Sequence, residues 1–263
     1  MQRAGWNPTR RNRHAGTGAH GHGDDNRLVI PDGTRGQLDF TERLPGAVRV
    51  TRPVGLRDLV FWVQPPALGC FHPCTVDDIA QLLNGLPADD RNALGMVVLR
   101  QPTRKQRVLR PVWGRAVFAF RPPQGADAPA VVLDAQSLAP LRWPKSLVVE
   151  DAQELDRLRA DGHVVQPDRR GWRIAVTPQS MRATLLQRTV LHELGHLLDR
   201  QRHSAASWAS KLAREREDTA HRHAAQAWAR LIEHGRAPFP PIVDEAQMHS
   251  EGLNPAWFRP ACR

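Results

Sequence analysis

The sequence predicts an α+β fold in which a mixed or antiparallel sheet is followed by a helical half. Two observations predict it: short β-type runs separated by proline pairs fill residues 37–145, and apolar residues recur at helical spacing through most of residues 146–263. No internal repeat divides the chain. A length of 263 residues with 41% apolar composition suffices for one large core, so we expect residues 37–263 to form a single domain.

The β-rich half, residues 37–145, is expected to contain one helix among five strands. Thr75 is expected to cap this helix, and Gly85 and Pro87 mark its end. Cys70 and Cys74 precede it with three residues between them, a spacing that predicts buried thiols rather than a zinc knuckle. The predicted strands are Ala47–Thr51, Leu59–Gln64, Gly95–Arg100, Ala116–Phe120 and Ala130–Asp134.

The helical half, residues 146–263, is expected to begin with short elements and to continue with two long helices. We expect a strand at Ser146–Glu150, a charged helix at Asp151–Ala160 closed by Gly162, and a strand at Trp172–Thr177. The two long helices are predicted at Pro178–Gln201 and Ser207–Glu233.

The N-terminal segment, residues 1–36, is glycine-rich and carries six arginines against three aspartates. Such a segment cannot bury enough apolar surface to offset the entropy lost on ordering, so we expect a disordered basic tail. The whole chain has a net charge of +10. Weak contacts with nucleic-acid phosphates through this tail, and through the basic stretch 100–110, are one interpretation of that charge. No nucleic-acid-binding motif accompanies either stretch, which favours solvated arginines.

No part of the sequence predicts a membrane-spanning or export segment. No run approaches the roughly 20 apolar residues of a membrane-spanning helix, and the N-terminus lacks the apolar core of a signal peptide. Three cysteines leave one unpaired, which argues against a disulfide framework. We therefore expect a cytoplasmic bacterial protein with no membrane partner.

The motif His192-Glu193-Leu194-Gly195-His196 lies within the first long helix and has the pattern HExxH. Histidines four residues apart share one helix face, so both imidazoles can reach one ion, and we predict a Zn²⁺ site with His192 and His196 as ligands. Gly195 would permit close approach of substrate or of a neighbouring strand, and Asp199 is a candidate hydrogen-bond partner for a ligand ring N–H. The apolar residues fall on the opposite face: Ala183, Leu186, Val190, Leu191, Leu194, Leu197 and Leu198.

The second long helix offers a third protein ligand. Helical arithmetic puts Glu217 in the middle of the small and apolar stripe that should face inward, whereas Glu215 and Asp218 point away. His221 shares this inward stripe and His223 does not. Because a carboxylate on a buried face is costly unless it is paired or bound to metal, Glu217 is the predicted third ligand.

A three-histidine site is the alternative. In that pattern a glycine and a third histidine follow HExxH, but Asp199 and Arg202 occupy those positions here. His203 comes one residue late and, on a continuous helix, would lie roughly 10 Å along the axis from His196. Met248 would then correspond to a later methionine turn.

The segment from about residue 172 to residue 231 resembles the HExxH-plus-glutamate zinc metallopeptidases, the gluzincin-like group. It is most similar to the bacterial ImmA/IrrE type, whose downstream pattern here is Glu217-x-x-Ala220-x-x-His223-Ala224, with His223 where an aromatic residue is usual. The resemblance implies a zincin-like fold, with the HExxH helix and a second ligand-bearing helix after the sheet. It also implies Zn²⁺ as cofactor and a protein or peptide as substrate.

The chemistry that the resemblance implies is metal-assisted hydrolysis of peptide bonds, with Glu193 as general base. Such enzymes stabilise the oxyanion with tyrosine, histidine or arginine, and this chain contains no tyrosine. His221 is the first candidate for this catalytic role and Arg188 the second. An extended substrate would pair with a sheet edge supplied by residues 95–100 or 113–120.

Two other functions fit parts of the sequence. One is a nucleic-acid-associated regulatory protein with a structural or regulatory zinc site. The other is a toxin-like protease exported without a cleavable signal. Salt-sensitive nucleic-acid binding without proteolysis would favour the first over a peptidase.

Overall fold

The computed structural model describes residues 43–109 and 112–260, so the predicted tail at residues 1–36 lies outside the described residues. The unit described here begins at Leu44. Among its helices, none combines the length and the apolar character needed to cross a bilayer.

The architecture is α+β, and its larger sheet is mixed and five-stranded. The strands are β1 (Val48–Val54), β2 (Arg57–Val63), β3 (Met96–Arg100), β4 (Gly114–Phe120) and β5 (Ala128–Asp134). They lie in the order β1-β2-β3-β5-β4, with β2, β3 and β5 parallel and the two outer strands antiparallel to their neighbours. All five predicted strands are therefore confirmed. Residues 95–100 and 113–120 were expected to supply a free sheet edge. The second of these segments contains β4, which is an edge strand. The expectation for residues 95–100 is wrong, because β3 is an interior strand that is buried throughout.

Helices pack against one face of this sheet and complete the C-terminal half. The helix predicted after Thr75 is confirmed: the Thr75 hydroxyl accepts the N–H of Asp78, and the Asp78 carboxylate accepts the N–H of Thr75. Cys70 and Cys74 are buried and free, as predicted. The helices are α1 (Val76–Asn84), α2 (Ala88–Asn92), α3 (Arg104–Leu109), α4 (Val149–Ala160), α5 (Pro178–Ala183), α6 (Val190–Gln201), α7 (Ala205–Ser210), α8 (Ala213–Glu233) and α9 (Glu245–Ser250), with a 3₁₀ turn at Pro255–Phe258.

A second sheet was predicted only in part. It is antiparallel, in the order β6-β8-β7, with strands β6 (Leu141–Pro144), β7 (Val164–Asp168) and β8 (Gly171–Ala175). The strand predicted at Ser146–Glu150 is wrong, because α4 already begins at Val149. Val148 and Val149 are 61% and 69% exposed, so this apolar run is not part of a buried strand.

The helix predicted at Pro178–Gln201 is confirmed as one helical run with an irregular middle. The residues between α5 and α6, Thr184–Thr189, form a π-helical segment that ends just before the HExxH motif. Its Thr189 hydroxyl donates to the Thr184 carbonyl, five residues back. The predicted apolar face is buried: Leu186, Val190, Leu191, Leu194, Leu197 and Leu198 are at most 5% exposed.

The second long helix starts six residues later than predicted. Lys211 and Leu212 are extended and separate α7 from α8. The Lys211 ammonium reaches both carboxylate oxygens of buried Asp199 on α6, at 2.7 and 2.8 Å. A charge-assisted bond to an otherwise buried carboxylate favours the extended backbone over continuation of the helix. Asp199 therefore anchors the chain between the two helices and is not a hydrogen-bond partner of His192 or His196.

Helices α6 and α8 cross at a glycine. A Cβ atom at Gly195 would lie 3.0 Å from the Cα of Ala220 and 3.1 Å from the Cβ of His223, so any larger residue would push the helices apart. The close approach predicted for Gly195 is thus made by a helix, not by substrate or a strand. This contact brings the HExxH face of α6 against the face of α8 that carries Glu217.

Candidate metal centre

The side chains of His192, His196 and Glu217 converge between α6 and α8. The Nε2 atoms of the two histidines lie 3.1 Å apart, and the Glu217 carboxylate lies 3.2 Å from His192 Nε2 and 3.5 Å from His196 Nε2. One donor atom from each residue falls within 4.8 Å of the other two. Among the described residues this is the group of histidine, cysteine and carboxylate side chains with the geometry to hold an ion.

This donor set fits a zinc ion. Zinc sites commonly combine imidazole nitrogens and carboxylate oxygens with bonds near 2.0–2.1 Å, and tetrahedral geometry then puts ligand atoms about 3.3 Å apart. The three separations bracket that value. The two imidazoles are largely buried, with 13% and 14% of their side-chain surface exposed.

Glu217 differs in burial from the prediction. Its side chain is 55% exposed, because the buried line of α8 runs through Ala220, Ala224, Ala227 and Leu231 and leaves Glu217 at the margin. The prediction that it lies in the middle of the inward stripe is therefore wrong, although its carboxylate still faces both histidines. Hydrogen bonds from His192 and His196 hold the pKa of Glu217 well below its usual range.

His223 is placed differently from the prediction. It was expected to point away from the inward stripe, yet its side chain is only 14% exposed. Its Nε2 atom lies 3.7 Å from Asp90 on α2. Because α6 carries Gly195 opposite it, the imidazole of His223 packs between the helices.

The carboxylate of Glu193 is held by the edge strand. Its Oε2 atom accepts a 2.7 Å hydrogen bond from the backbone N–H of Ala116 in β4. Burial raises the pKa of Glu193, against the opposing influence of His192, His196 and the Ala116 N–H. The side chain is therefore oriented beside His192 and His196 without being one of the three converging donors.

A close contact positions β4 for this hydrogen bond. A Cβ atom at Gly114 would lie 2.8 Å from the Thr189 methyl group and 2.9 Å from the carbonyl oxygen of Val132, so only glycine fits without displacement. Thr189 ends the π-helical segment. Segments of this kind are frequent at functional sites. Here the segment packs against the start of β4 through Thr189, three residues before His192.

The two residues considered for stabilising an oxyanion, His221 and Arg188, differ in whether they are already engaged by carboxylates. The ring centroid of His221 is 4.4 Å from that of His192, and burial together with the nearby His192 and Arg157 lowers the pKa of His221 to about 4. Arg188 lines the same cleft, but its guanidinium already pairs with Glu154 at 2.6 Å and Asp161 at 2.8 Å. His221 is therefore the freer of the two to meet a substrate.

The alternative third ligand is not near the centre. His203 Nδ1 is 2.8 Å from the backbone carbonyl oxygen of Asp199 and caps the end of α6. It is outside the group of converging donors. Met248, the residue considered for a methionine turn, lies buried inside α9.

Two clefts meet at the metal centre. One, of about 310 Å³, is lined by Trp113, Trp143 and His221; the other, of about 320 Å³, is lined by Arg115, Trp208 and other side chains. Glu193 and Glu217 border both. The clefts follow β4 from its start towards its end, so a chain lying along this free edge would pass over the centre.

The sequence did not predict several buried polar contacts that the structure contains. Buried Asp161 accepts bonds from the Thr184 hydroxyl and from Arg188, which fixes the π-helical segment. Arg100, part of the basic stretch proposed for nucleic acid, is buried and pairs with Asp134 at 2.8 Å. That residue is therefore not a phosphate contact. Helical periodicity carries no signal for such contacts, since their partners are distant in sequence.

Comparison with protein-family models, with curated proteins and with solved structures finds no match for this chain.

Proposed function

We propose that this chain is a zinc-dependent peptidase of zincin-like fold that hydrolyses peptide bonds. His192, His196 and Glu217 would hold the ion. Bound zinc would supply Lewis acidity and lower the pKa of water at the site towards neutrality.

Glu193 acts as the general base. The Ala116 N–H holds one of its carboxylate oxygens, so the side chain keeps its orientation beside the ligand histidines. It takes a proton from the attacking water and returns it to the amine that leaves.

Substrate would lie along β4. This strand is an edge strand with no partner strand on its outer side among the described residues, and the Ala116 N–H on that strand is the group that binds Glu193. An extended peptide can add to such an edge through main-chain hydrogen bonds. His221, at the border of the adjoining cleft, would donate a hydrogen bond to the oxygen that becomes negatively charged.

One observation carries this proposal: the general base of the HExxH motif is hydrogen-bonded to the strand that borders both clefts. A structural zinc site needs closed coordination and no base. Here a carboxylate that is not among the three donors is fixed at the junction of two clefts. That arrangement favours hydrolysis over a purely structural metal.

The test is digestion of a library of blocked peptides, analysed by mass spectrometry. We expect cleavage by purified protein, loss of cleavage with a chelator, recovery with added zinc, and none with His196→Ala. The control Asp218→Ala, an exposed acid on α8 outside the donor group, should cleave as the wild type does. Cleavage that persists in the chelator or in His196→Ala would overturn the proposal.

A further inference from the structure

The cleft on the His196 side of the candidate metal centre contains two guanidinium groups, of which only that of Arg115 has a carboxylate partner among the described residues. Arg115 and Arg216 line it together with Phe118 and Trp208, and its volume is about 320 Å³. The two carboxylates on its border are already engaged. Glu193 accepts from β4, and Glu217 faces the two histidines.

Arg216 is the central group. Its guanidinium lies over the Trp208 ring, 4.4 Å from the ring centroid, which fixes its position by a cation–π contact. Trp208 is itself held edge-on against Phe118, with ring centroids 4.8 Å apart. Within the described part of the chain, no carboxylate lies within 4.0 Å of the Arg216 guanidinium nitrogens, and its Nε atom is buried without a hydrogen-bond partner.

Two other residues of the same cleft, Arg115 and Trp208, also carry a buried N–H group without a hydrogen-bond partner among the described residues. Arg115 pairs with Asp134 through Nη2 at 3.0 Å, yet its Nε atom is buried and unbonded within the described residues. The indole Nε1 of Trp208 is likewise buried without an acceptor there. Buried donors normally have a partner, and each one left without costs free energy. Each of these three residues lines the cleft and carries an N–H group without an acceptor among the described residues.

A carboxylate has the chemistry that these donors require. It has two acceptor oxygens and a negative charge, and it matches the planar fork of a guanidinium. We propose that this cleft is a specificity subsite for a substrate carboxylate next to the scissile bond. The carboxylate would come from an aspartate or glutamate side chain or from the C-terminus of a peptide. The inference rests on the proposed peptidase function, because the cleft meets substrate only if the adjoining centre acts on peptides.

The first test measures binding without catalysis. Acetyl-glutamate amide and its neutral counterpart acetyl-glutamine amide are titrated into purified protein, and binding is followed by NMR. A second pair, acetyl-alanine and its amide, tests a C-terminal carboxylate in place of a side-chain carboxylate. We expect at least one carboxylate ligand to bind about tenfold or more tightly than its neutral partner. Arg216→Gln should abolish that preference.

Arg214→Gln is the matched control. Arg214 lies two residues away on the same helix with its side chain 85% exposed, outside the cleft, so this variant should keep the preference. If Arg216→Gln fails to fold, Arg216→Glu serves instead, because an acidic side chain in the first turn of α8 is compatible with the helix. It should reverse the preference towards acetyl-lysine amide.

The second test uses the blocked peptide library together with the same peptides bearing a free C-terminal carboxylate. Wild-type cleavage sites should be enriched in aspartate or glutamate next to the cleaved bond, or in free C-termini, and Arg216→Glu should remove the enrichment. Equal binding of charged and neutral ligands to the wild type, or equal effects of Arg216→Gln and Arg214→Gln, would overturn the subsite. Arg216-dependent binding without any peptide cleavage would instead refute the peptidase function alone.

Discussion

Glu193 in helix α6 and Ala116 in strand β4 are joined by a 2.7 Å hydrogen bond between a side-chain carboxylate and a backbone N–H. They are 77 residues apart in sequence. The bond ties the HExxH helix to the free edge of the five-stranded sheet. Under the proposed function, the bond fixes the base relative to a peptide lying on that edge.

Replacing the base should separate metal binding from catalysis. Glu193→Gln keeps an amide oxygen that can accept the Ala116 N–H, so the fold and the zinc content should not change. Because the amide cannot take a proton, peptide hydrolysis should fall by about 100-fold or more. Metal analysis and peptide cleavage measured on the same preparation check this. Loss of zinc, or activity close to wild type, would show that Glu193 has another role.

The crossing of α6 and α8 should control metal affinity. Gly195→Ala puts a methyl group 3.0–3.1 Å from Ala220 and His223, and such overpacking typically costs about 1–3 kcal/mol. The better helix propensity of alanine returns up to about 1 kcal/mol, so net destabilisation should stay near 2 kcal/mol or less. Zinc affinity should fall more clearly, since Glu217 moves away from the histidines. Unchanged zinc affinity in a competition titration would contradict this.

Buried and exposed ion pairs should differ in their effect on stability. Arg182 makes two bonds to Asp78, at 2.8 and 3.2 Å, and the Asp78 side chain is 1% exposed. Arg182→Ala leaves that carboxylate buried with its charge uncompensated and should lower the free energy of unfolding by about 3–5 kcal/mol. The control is Arg142→Ala, which breaks an exposed 2.9 Å pair with Asp168 and should cost under about 1 kcal/mol. Urea denaturation of both variants tests the contrast, and equal losses would contradict it.

Stability should fall at acidic pH because of one buried histidine. Burial lowers the pKa of His72 to about 4, although a hydrogen bond to the Gln64 carbonyl opposes the shift. The unfolded chain binds this proton near pH 6.5 and the folded chain does not until about pH 4, so stability is full above pH 6.5 and is lost as pH falls towards 4. The loss amounts to roughly 3 kcal/mol.

The variant His72→Gln isolates this contribution. Glutamine keeps a donor for the Gln64 carbonyl but does not titrate, so its unfolding free energy should vary less between pH 7 and pH 4 than that of the wild type. Denaturation curves at several pH values give the difference. Parallel pH profiles for the two proteins would show that His72 is not the group responsible.

Local patterns predicted much of the fold and of the site. The strands β1 to β5 and the helical run at residues 178–201 follow from alternation, capping and helical spacing, which are properties of neighbouring residues. The spacing of His192 and His196 places two side chains on one helix face whatever surrounds them. Helical spacing also predicted that Glu217 faces these two histidines, although the predicted burial of Glu217 was too high.

The errors arose where distant residues decide the local structure. Ser146–Glu150 has strand-forming residues, but neither of the two sheets in the described residues includes them, and the chain enters α4 instead. The gap between α7 and α8 depends on Lys211 reaching Asp199. Likewise, the carboxylate subsite combines residues of β4, α7 and α8 that share no sequence pattern. Such features require the tertiary structure.

The most direct test of the whole account is zinc content, measured by elemental analysis in the wild type and three variants. We expect about one zinc per chain in the wild type, in His203→Ala and in the control Asp218→Ala. Glu217→Ala should lose most of its zinc, because removal of a ligand costs far more than the ~10–100-fold typical of residues that only support ligands. Zinc retained in Glu217→Ala but lost in His203→Ala would contradict the account and assign the protein to the three-histidine class.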